Sequence, residues 1–401
     1  MGIKQKKADT IQEFLYITRM KTRVLFLIES LSGGGAEKVL SLILSDIDKE
    51  RFECNVCPIV DTGVYREEVK ASTTHYSPII SYDGVAVSRF INRLKYKLVY
   101  SLLPLSWVYR FFVPKGNDVE IAFCEGYVTK LLSQSGSNAK KIAWVHTDLA
   151  ANPWPLQQSV FSGDEEVRQS YHCYDRVVCV SNSVENVMRK EYGLSNTTVI
   201  PNPVDVEAIT SLANVDCPHD IDTSCFNIVA VGRLVPQKGF DELIRIVAKM
   251  RSNHARVHLY IVGEGNERSR LEKMIAAFNA EEYIHLTGFM TNPYALMAHA
   301  DLYVCSSRAE GFSLTVVESM VLGIPIISMN STGPVELLDN GRFGEICNTY
   351  DELYEALTKA YSDKDFLEDL RRKSMGGKTR FDKNKVFRQI EFLLETVSQG
   401  G

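Results

Sequence analysis

Two carboxylates eight residues apart, Glu310 and Glu318, bracket a segment suited to meeting an anion. The segment reads Glu310-Gly-Phe-Ser-Leu-Thr-Val-Val-Glu318. It follows a short apolar strand, Ala300-Asp-Leu-Tyr-Val-Cys305, and a Ser-Ser-Arg turn. Gly311 lets the backbone approach a ligand closely. The apolar spacing of Leu314, Val317 and Val321 predicts a helix beginning near Ser313. A helix N-terminus at the carboxyl end of a strand attracts anions through its unpaired amides and its dipole. Carboxylates beside such a site repel the anion, so they make sense if they grip neutral hydroxyls on either side of it. A nucleotide sugar has that layout: ribose, diphosphate, sugar. The competing reading is a plain strand-loop-helix with two solvated glutamates. It loses weight because further elements of an anion site occur at other strand ends.

One of these is Val231-Gly-Arg-Leu-Val-Pro-Gln-Lys-Gly239, after another apolar strand. Arg233 can bind a phosphate through two parallel bonds, and Lys238 adds a compact charge. Each charge-assisted bond is worth about 1.5–3 kcal/mol, so two of them plus a helix start could hold a diphosphate without a metal. Gly33-Gly34-Gly35 also lies between a strand and a helix, where bare amides could meet the same phosphates or form only a tight turn. It is neither Gly-x-Gly-x-x-Gly, since Lys38 fills the sixth position, nor a Walker loop, since no Gly-Lys-Ser/Thr follows. Gly263-Glu-Gly265 and Thr287-Gly-Phe-Met290 fit loops lining a nucleotide cleft. His146 ends the run Lys141-Ile-Ala-Trp-Val-His146, with Asp148 two residues on. The Asp-x-Asp pairs at Asp46–Asp48, Asp220–Asp222 and Asp363–Asp365 fall at a helix end, in a linker and at a helix start, and read as surface charge. No metal is expected.

Alternating elements must position these residues. Strands are expected at 23–29, 54–60, 119–124, 141–146, 176–180 and 197–200, with helices between, which gives a parallel sheet. A second alternating unit starts at Phe226, with strands at 257–262, 283–286, 302–305 and 325–328. Region 206–225 reads as polar and irregular. The expected organisation is an extension over 1–21, a first Rossmann-like domain over 22–204, a linker over 205–225 and a second domain over 226–380. A final helix over 381–401 could cross back to the first domain. Two doubly wound domains whose strand ends face each other make a cleft.

Bulk properties agree with this plan. The 401 residues exceed one compact core. A net charge of −5 argues against general nucleic-acid binding. Nine scattered cysteines suggest a reduced cytosolic protein, and Cys54-x2-Cys57, the one close pair, has no second pair near it to make a zinc or redox site. No apolar run approaches the roughly 18–20 residues needed to span a bilayer. Residues 84–117 stand out: they hold Arg89, Arg93, Lys95, Lys97, Arg110 and Lys115 and no acid. Between these lie Phe90, Ile91, Leu94, Leu98, Leu102, Leu103, Leu105, Trp107, Phe111 and Phe112. Such a stretch either rests on anionic lipid as basic amphipathic helices broken at Pro104, or packs its apolar side into the first domain.

Taken together, Glu310-x7-Glu318, Gly232-Arg233 with Lys238-Gly239, Ala300-Asp301, Gly323-Ile-Pro325, Ser181-Asn-Ser183 and Pro201-Asn-Pro203 resemble the GT-B glycosyltransferases of family GT4. The resemblance spans residues 22–375. Glu29-Ser-Leu-Ser-Gly-Gly-Gly-Ala-Glu37, Ala122-Phe-Cys-Glu-Gly126 and Trp144-Val-His-Thr-Asp148 look like enzymes of bacterial surface-polysaccharide assembly. It implies an α/β GT-B fold and transfer, with retention, of a hexose or N-acetylhexosamine from a nucleotide-diphosphate sugar, with UDP the expected carrier. The acceptor would be a glycan or a lipid-linked saccharide. It implies that Arg233 and Lys238 hold the diphosphate and Glu318 the ribose. Glu310 and the amides of Gly311, Phe312, Ser313 and Leu314 would meet the sugar, with His146 against its reacting face. Gly34, Gly35 and Met290 would line the donor site. Loops 61–85 and 147–170 would choose the acceptor. No cofactor is implied, and the location would be cytoplasmic, at the inner membrane face for a lipid-linked acceptor. Two other readings stay open: a nucleotide-sugar epimerase, and a non-catalytic GT-B subunit supporting a partner transferase.

Overall fold

The structure is a computed structural model describing residues 21–81, 86–217 and 221–400, with backbone only for 86–90. The expected extension therefore lies outside the described residues, apart from Lys21.

The first sheet takes β1 (Thr22–Ile28), β2 (Phe52–Pro58), β4 (His75–Tyr76), β6 (Val119–Ala122), β7 (Lys140–Val145), β8 (Arg176–Cys179) and β9 (Thr197–Val199). β3 (Val60–Asp61) and β5 (Ile80–Ser81) pair separately. The second sheet takes β10 (Phe226–Val231), β11 (Val257–Val262), β12 (Ile284–Gly288), β13 (Leu302–Cys305), β14 (Ile326–Met329) and β15 (Glu345–Cys347). The orders are β4-β2-β1-β6-β7-β8-β9 and β12-β11-β10-β13-β14-β15, and every strand pair within these two sheets is parallel. This is the expected pair of doubly wound domains. Strand order reverses between β1 and β6 and again between β10 and β13, and crevices open at such switch points. The Gly33–Gly35 loop follows β1. The loops holding Arg233 and Glu310 follow β10 and β13.

Local sequence explains these elements. β1 is buried from Val24 to Ile28, as suits a central parallel strand covered on both faces. Helix α1 (Gly35–Asp46) buries Val39, Leu40, Ile43 and Leu44, one helical stripe. Ser181 caps α2 (Asn182–Lys190) by accepting from the Val184 amide at 3.2 Å. Gly239 sits at φ +65°, and a Cβ there would strike the Ser306 carbonyl oxygen, so the turn after Lys238 needs glycine. Helix α3 (Leu314–Leu322) begins just after Ser313, as the apolar spacing predicts.

The irregular linker is a correction. Val206–Ala213 is a helix, capped by Asp205 accepting from the Ala208 amide at 2.8 Å. Its Ile209 and Ala213 join the second domain's core, so burial organises a stretch whose polar outer face hid its periodicity. The strand expected over 54–60 is likewise two, β2 and β3, because the chain leaves the main sheet after Pro58. The short edge strands β4 and β15 carry too few residues to show a pattern of their own.

The last helix, α4 (Lys383–Ser398), buries Val386, Ile390, Leu394 and Val397 in the core of the first domain. Arg51 donates to Glu391 at 2.8 Å, and Lys383 bridges Asp46 and Asp205 at 2.6 Å each. The described residues include no helix long and apolar enough to cross a membrane.

Candidate active site

The two domains touch through the loops at their strand ends. Gly311 lies against the backbone of His146: a Cβ on it would sit 3.0 Å from the His146 carbonyl carbon and closer still to its oxygen. Ser181 Oγ donates to the Gly311 carbonyl at 2.9 Å. Asn182 and Ser183 amides donate to Glu336 at 3.0 and 2.9 Å, and Thr332 Oγ1 donates to Asp148 at 2.9 Å. Phe312 and Leu314 pack against the cores of both domains. A Cβ on Gly35 would lie 3.4 Å from Leu314 Cδ1, which places the start of α1 opposite the start of α3.

Around these helix starts the charges come in pairs. Glu310, buried, is ion-paired with Lys238 and accepts from Ser307 Oγ at 2.8 Å. Glu318, also buried, is ion-paired with Lys38 and accepts from Tyr294 Oη at 3.2 Å. Burial works against charge on Lys38, but Glu318 and then Tyr294 outweigh it and hold the ammonium above the ordinary lysine range.

Arg233 is exposed, and its charge acts on Glu37. Burial raises the Glu37 carboxyl, and Arg233 opposes that shift. Met290 packs on the second domain's core beside the loop of Phe289, whose ring lies 3.4 Å from a Cβ placed on Gly33. Gly34 is the residue before α1, and a Cβ on it would meet the Glu37 carboxylate.

His146 follows β7, its ring centroid 5.1 Å from that of Phe123 and 6.4 Å from that of Trp144. Burial pushes the imidazole down to about 3, only slightly offset by the Phe123 backbone, so the ring is neutral at ordinary pH. Neither ring nitrogen makes a well-formed hydrogen bond. Its position is fixed from behind by Glu125, which accepts from the His146 amide at 2.5 Å and the Thr147 amide at 2.6 Å. Burial raises that carboxyl to about 7, against the lowering effect of the amides it accepts from.

The structure therefore gathers His146, Lys238, Glu310, Gly311, Ser313, Leu314 and Glu318 with the Gly33–Gly35 loop, and sets Arg233 and Met290 at the edge. Lys38, Tyr294, Glu37 and Glu125 join the site, although sequence reasoning gave none of them a role in it. Glu37 and Lys38 had a signal, the two charges directly after Gly-Gly-Gly-Ala. The Asp-x-Asp pairs stay apart from it: Asp46 pairs with Lys383, Asp363 caps the helix Lys364–Gly377, and Asp222 holds a turn through the Ser224 amide at 2.9 Å. Asp220 lies outside the described residues.

Residues 33–208 match the family described as Glycosyltransferase Family 4, and residues 218–376 match Glycosyl transferases group 1. The chain is a GT4-like glycosyltransferase of GT-B fold. Among relatives of this glycosyltransferase is the Campylobacter jejuni N-acetylgalactosamine-N,N'-diacetylbacillosaminyl-diphospho-undecaprenol 4-alpha-N-acetylgalactosaminyltransferase. It is 29% identical over 379 residues, which cover 92% of this chain and 98% of that one. An uncharacterized glycosyltransferase of Methanocaldococcus jannaschii is 28% identical over 285 residues, covering 69% of this chain and 70% of its own. The crystal structure of Anabaena HepE in complex with UDP and glucose matches this glycosyltransferase with a TM-score of 0.71 at 19% identity, covering 93% of this chain and 99% of that one.

Proposed function

We propose that this glycosyltransferase transfers a hexose or N-acetylhexosamine, with retention, from a UDP-sugar to a lipid-linked or glycan acceptor in surface polysaccharide synthesis. The observation that carries the donor reading is the paired arrangement at the start of α3: Glu310 with Lys238 on one side, Glu318 with Lys38 and Tyr294 on the other. Glu318 suits ribose hydroxyls and Glu310 suits the sugar, with the amides of residues 311–314 and the cations Lys238 and Arg233 between them for the diphosphate. The Campylobacter relative's diphospho-undecaprenol acceptor and the UDP bound in the Anabaena structure support the two substrate classes.

In this reading, bond breaking leaves negative charge on the diphosphate and positive character on the sugar. Preorganised cations and amides stabilise the first. Neutral His146 can accept or donate a hydrogen bond at the sugar without adding charge beside the forming cation. No metal has a part in the transfer step. The experiment is calorimetry with UDP and a panel of UDP-sugars, followed by release of UDP with and without acceptor. UDP release that depends on acceptor, with a product of unchanged anomeric configuration by NMR, supports the reading. Interconversion of the sugar while still attached to nucleotide would replace it with the epimerase reading, and absence of nucleotide binding would replace it with the supporting-subunit reading.

The acceptor side points to a membrane surface. The backbone forms helices Ala86–Lys97 and Leu105–Phe112 joined by a wide turn. Leu98, Leu103, Leu105 and Phe112 are packed or half-buried, but Ile91, Leu94, Leu102, Trp107 and Phe111 are more than half exposed, beside exposed Arg93, Lys97 and Arg110. Apolar side chains that the core leaves out, ringed by cations, suit an anionic lipid interface. Peripheral attachment at the inner membrane face follows as part of this proposal.

A further inference from the structure

At the end of the second sheet away from the cleft, three adjacent strands bring metal-type donors to one face. Cys225 immediately precedes β10, His258 is the second residue of β11 and His285 is the second residue of β12. The register pairs Asn227 with His258 and Tyr260 with His285. Side chains two apart on a strand share a face, so Cys225, His258 and His285 step diagonally across the sheet's amino-terminal edge. His258 Nδ1 and His285 Nε2 are 3.3 Å apart. Asp222, in the turn that ends the interdomain segment, accepts from Cys225 Sγ at 3.2 Å. One ligand atom from each of Asp222, Cys225 and His258 falls within 4.8 Å of the others.

We infer that Asp222, Cys225 and His258, with His285 as the fourth donor, form a zinc site that fastens the interdomain segment to the second sheet. One thiolate, two imidazoles and one carboxylate are the donor types that zinc takes in a tetrahedron. Zinc–nitrogen bonds of about 2.0–2.1 Å put two ligating nitrogens about 3.4 Å apart, which matches the His258–His285 spacing. Asp222, Cys225 and His258 already offer donors within 4.8 Å of one another, and His285, beside His258 but outside that group, must move in to complete the tetrahedron. His258 and His285 share a hydrogen bond at that spacing and Cys225 donates to Asp222, so zinc would replace both contacts. Binding converts the Cys225 thiol to thiolate, and the proton it now shares with Asp222 passes to solvent, so affinity rises with pH. The site is on the opposite edge of the sheet from the donor cleft. It constrains where the second domain's first strand meets the segment that joins the domains, and has no part in transfer chemistry.

The test uses the full chain, stripped with chelator and titrated with zinc against a chromophoric competitor, and separately with cobalt. One equivalent of zinc per chain is expected, with a raised melting temperature. The cobalt form should show the intense visible bands of a tetrahedral site and a thiolate charge-transfer band. Cys225→Ser should abolish the charge-transfer band, and Cys225→Ser or His258→Gln should each weaken zinc binding at least ten-fold, while His285→Gln gives a smaller loss. Circular dichroism confirms folding of each variant. Failure of the wild type to bind one equivalent overturns the site, as does zinc binding that persists unchanged in the Cys225→Ser/His258→Gln double variant.

Discussion

Lys38, on the first helix of one domain, forms an ion pair across the cleft with the buried carboxylate of Glu318 in the other, and Tyr294 Oη donates to the same oxygen. The ammonium thereby satisfies the carboxylate proposed to meet the ribose. Lys38→Met should therefore leave Glu318 underpaired and destabilise the free protein by about 1–3 kcal/mol, the cost of an unsatisfied buried group. Saturating UDP should shrink that difference, because ribose hydroxyls replace the lost donor. Melting temperatures of both proteins with and without UDP check this. An equal deficit in both conditions would mean that Glu318 does not meet the ribose.

If Arg233 and Lys238 hold the diphosphate as proposed, they act on nucleotide affinity. Arg233→Ala and Lys238→Ala should each weaken UDP binding by about 10- to 100-fold, from the energy of one charge-assisted bond. Lys238→Ala carries a second effect, since it strips Glu310 of its partner. Its thermal stability should fall, whereas that of Arg233→Ala, whose side chain is exposed, should not. Calorimetry and thermal unfolding on the same samples separate the two.

The two glutamates should divide their effects. Glu310→Gln is expected to lower turnover more than UDP affinity, since the proposal sets it against the sugar. Glu318→Gln is expected to weaken UDP affinity by about ten-fold, the energy of a hydrogen bond to a charged group. The reverse pattern would exchange their roles. Transfer should continue in EDTA even if zinc is removed from the distant sheet edge and the melting temperature drops.

Glu125 predicts a pH dependence whose sign follows from its raised carboxyl. Its folded value is about 7 against an ordinary 4.5, so its contribution to stability is full below 4.5 and is lost as pH rises to about 7. His146 works the other way. Depressed from 6.5 to about 3, it contributes stability above 6.5 that is lost as pH falls toward 3. Comparing wild type with Glu125→Gln cancels the histidine. The variant keeps an oxygen for the His146 and Thr147 amides and never ionises. It should gain on the wild type by about 2–3 kcal/mol between pH 4.5 and 8, following the size of the shift. Urea unfolding at several pH values measures the gain; a difference independent of pH would show that Glu125 titrates normally.

The exposed aromatics set the membrane prediction. The protein should pellet with vesicles containing anionic lipid at low salt and dissociate as salt is raised, at about 1 kcal/mol per engaged cation. Trp107→Ala/Phe111→Ala should reduce pelleting without changing UDP affinity, because both residues lie on the exposed face of their helix. Equal pelleting on neutral and anionic lipid, or none on either, would leave that face without a membrane role.

The sequence alone determined what depends on neighbours along the chain. Buried parallel strands read as apolar runs, so the two alternating units and the cleft between them were legible. The strand-turn-helix from Leu302 to Leu322 was legible too, because Gly311 and the stripe Leu314, Val317 and Val321 are local signals. The types and spacing of Glu310, Glu318, Arg233 and Lys238 suggested a nucleotide-sugar site. Only the tertiary structure decided which charges meet. Lys38 and Glu318 stand 280 residues apart, and no periodicity relates them. The backbone of Gly311 could close on that of His146 only once two separate domains had turned their strand ends together. The alignment of Cys225, His258 and His285 depends on strand register, and the place of the last helix in the first domain's core depends on which apolar face was left uncovered. Those outcomes follow from long-range burial and pairing, which act between segments that carry no mark of one another.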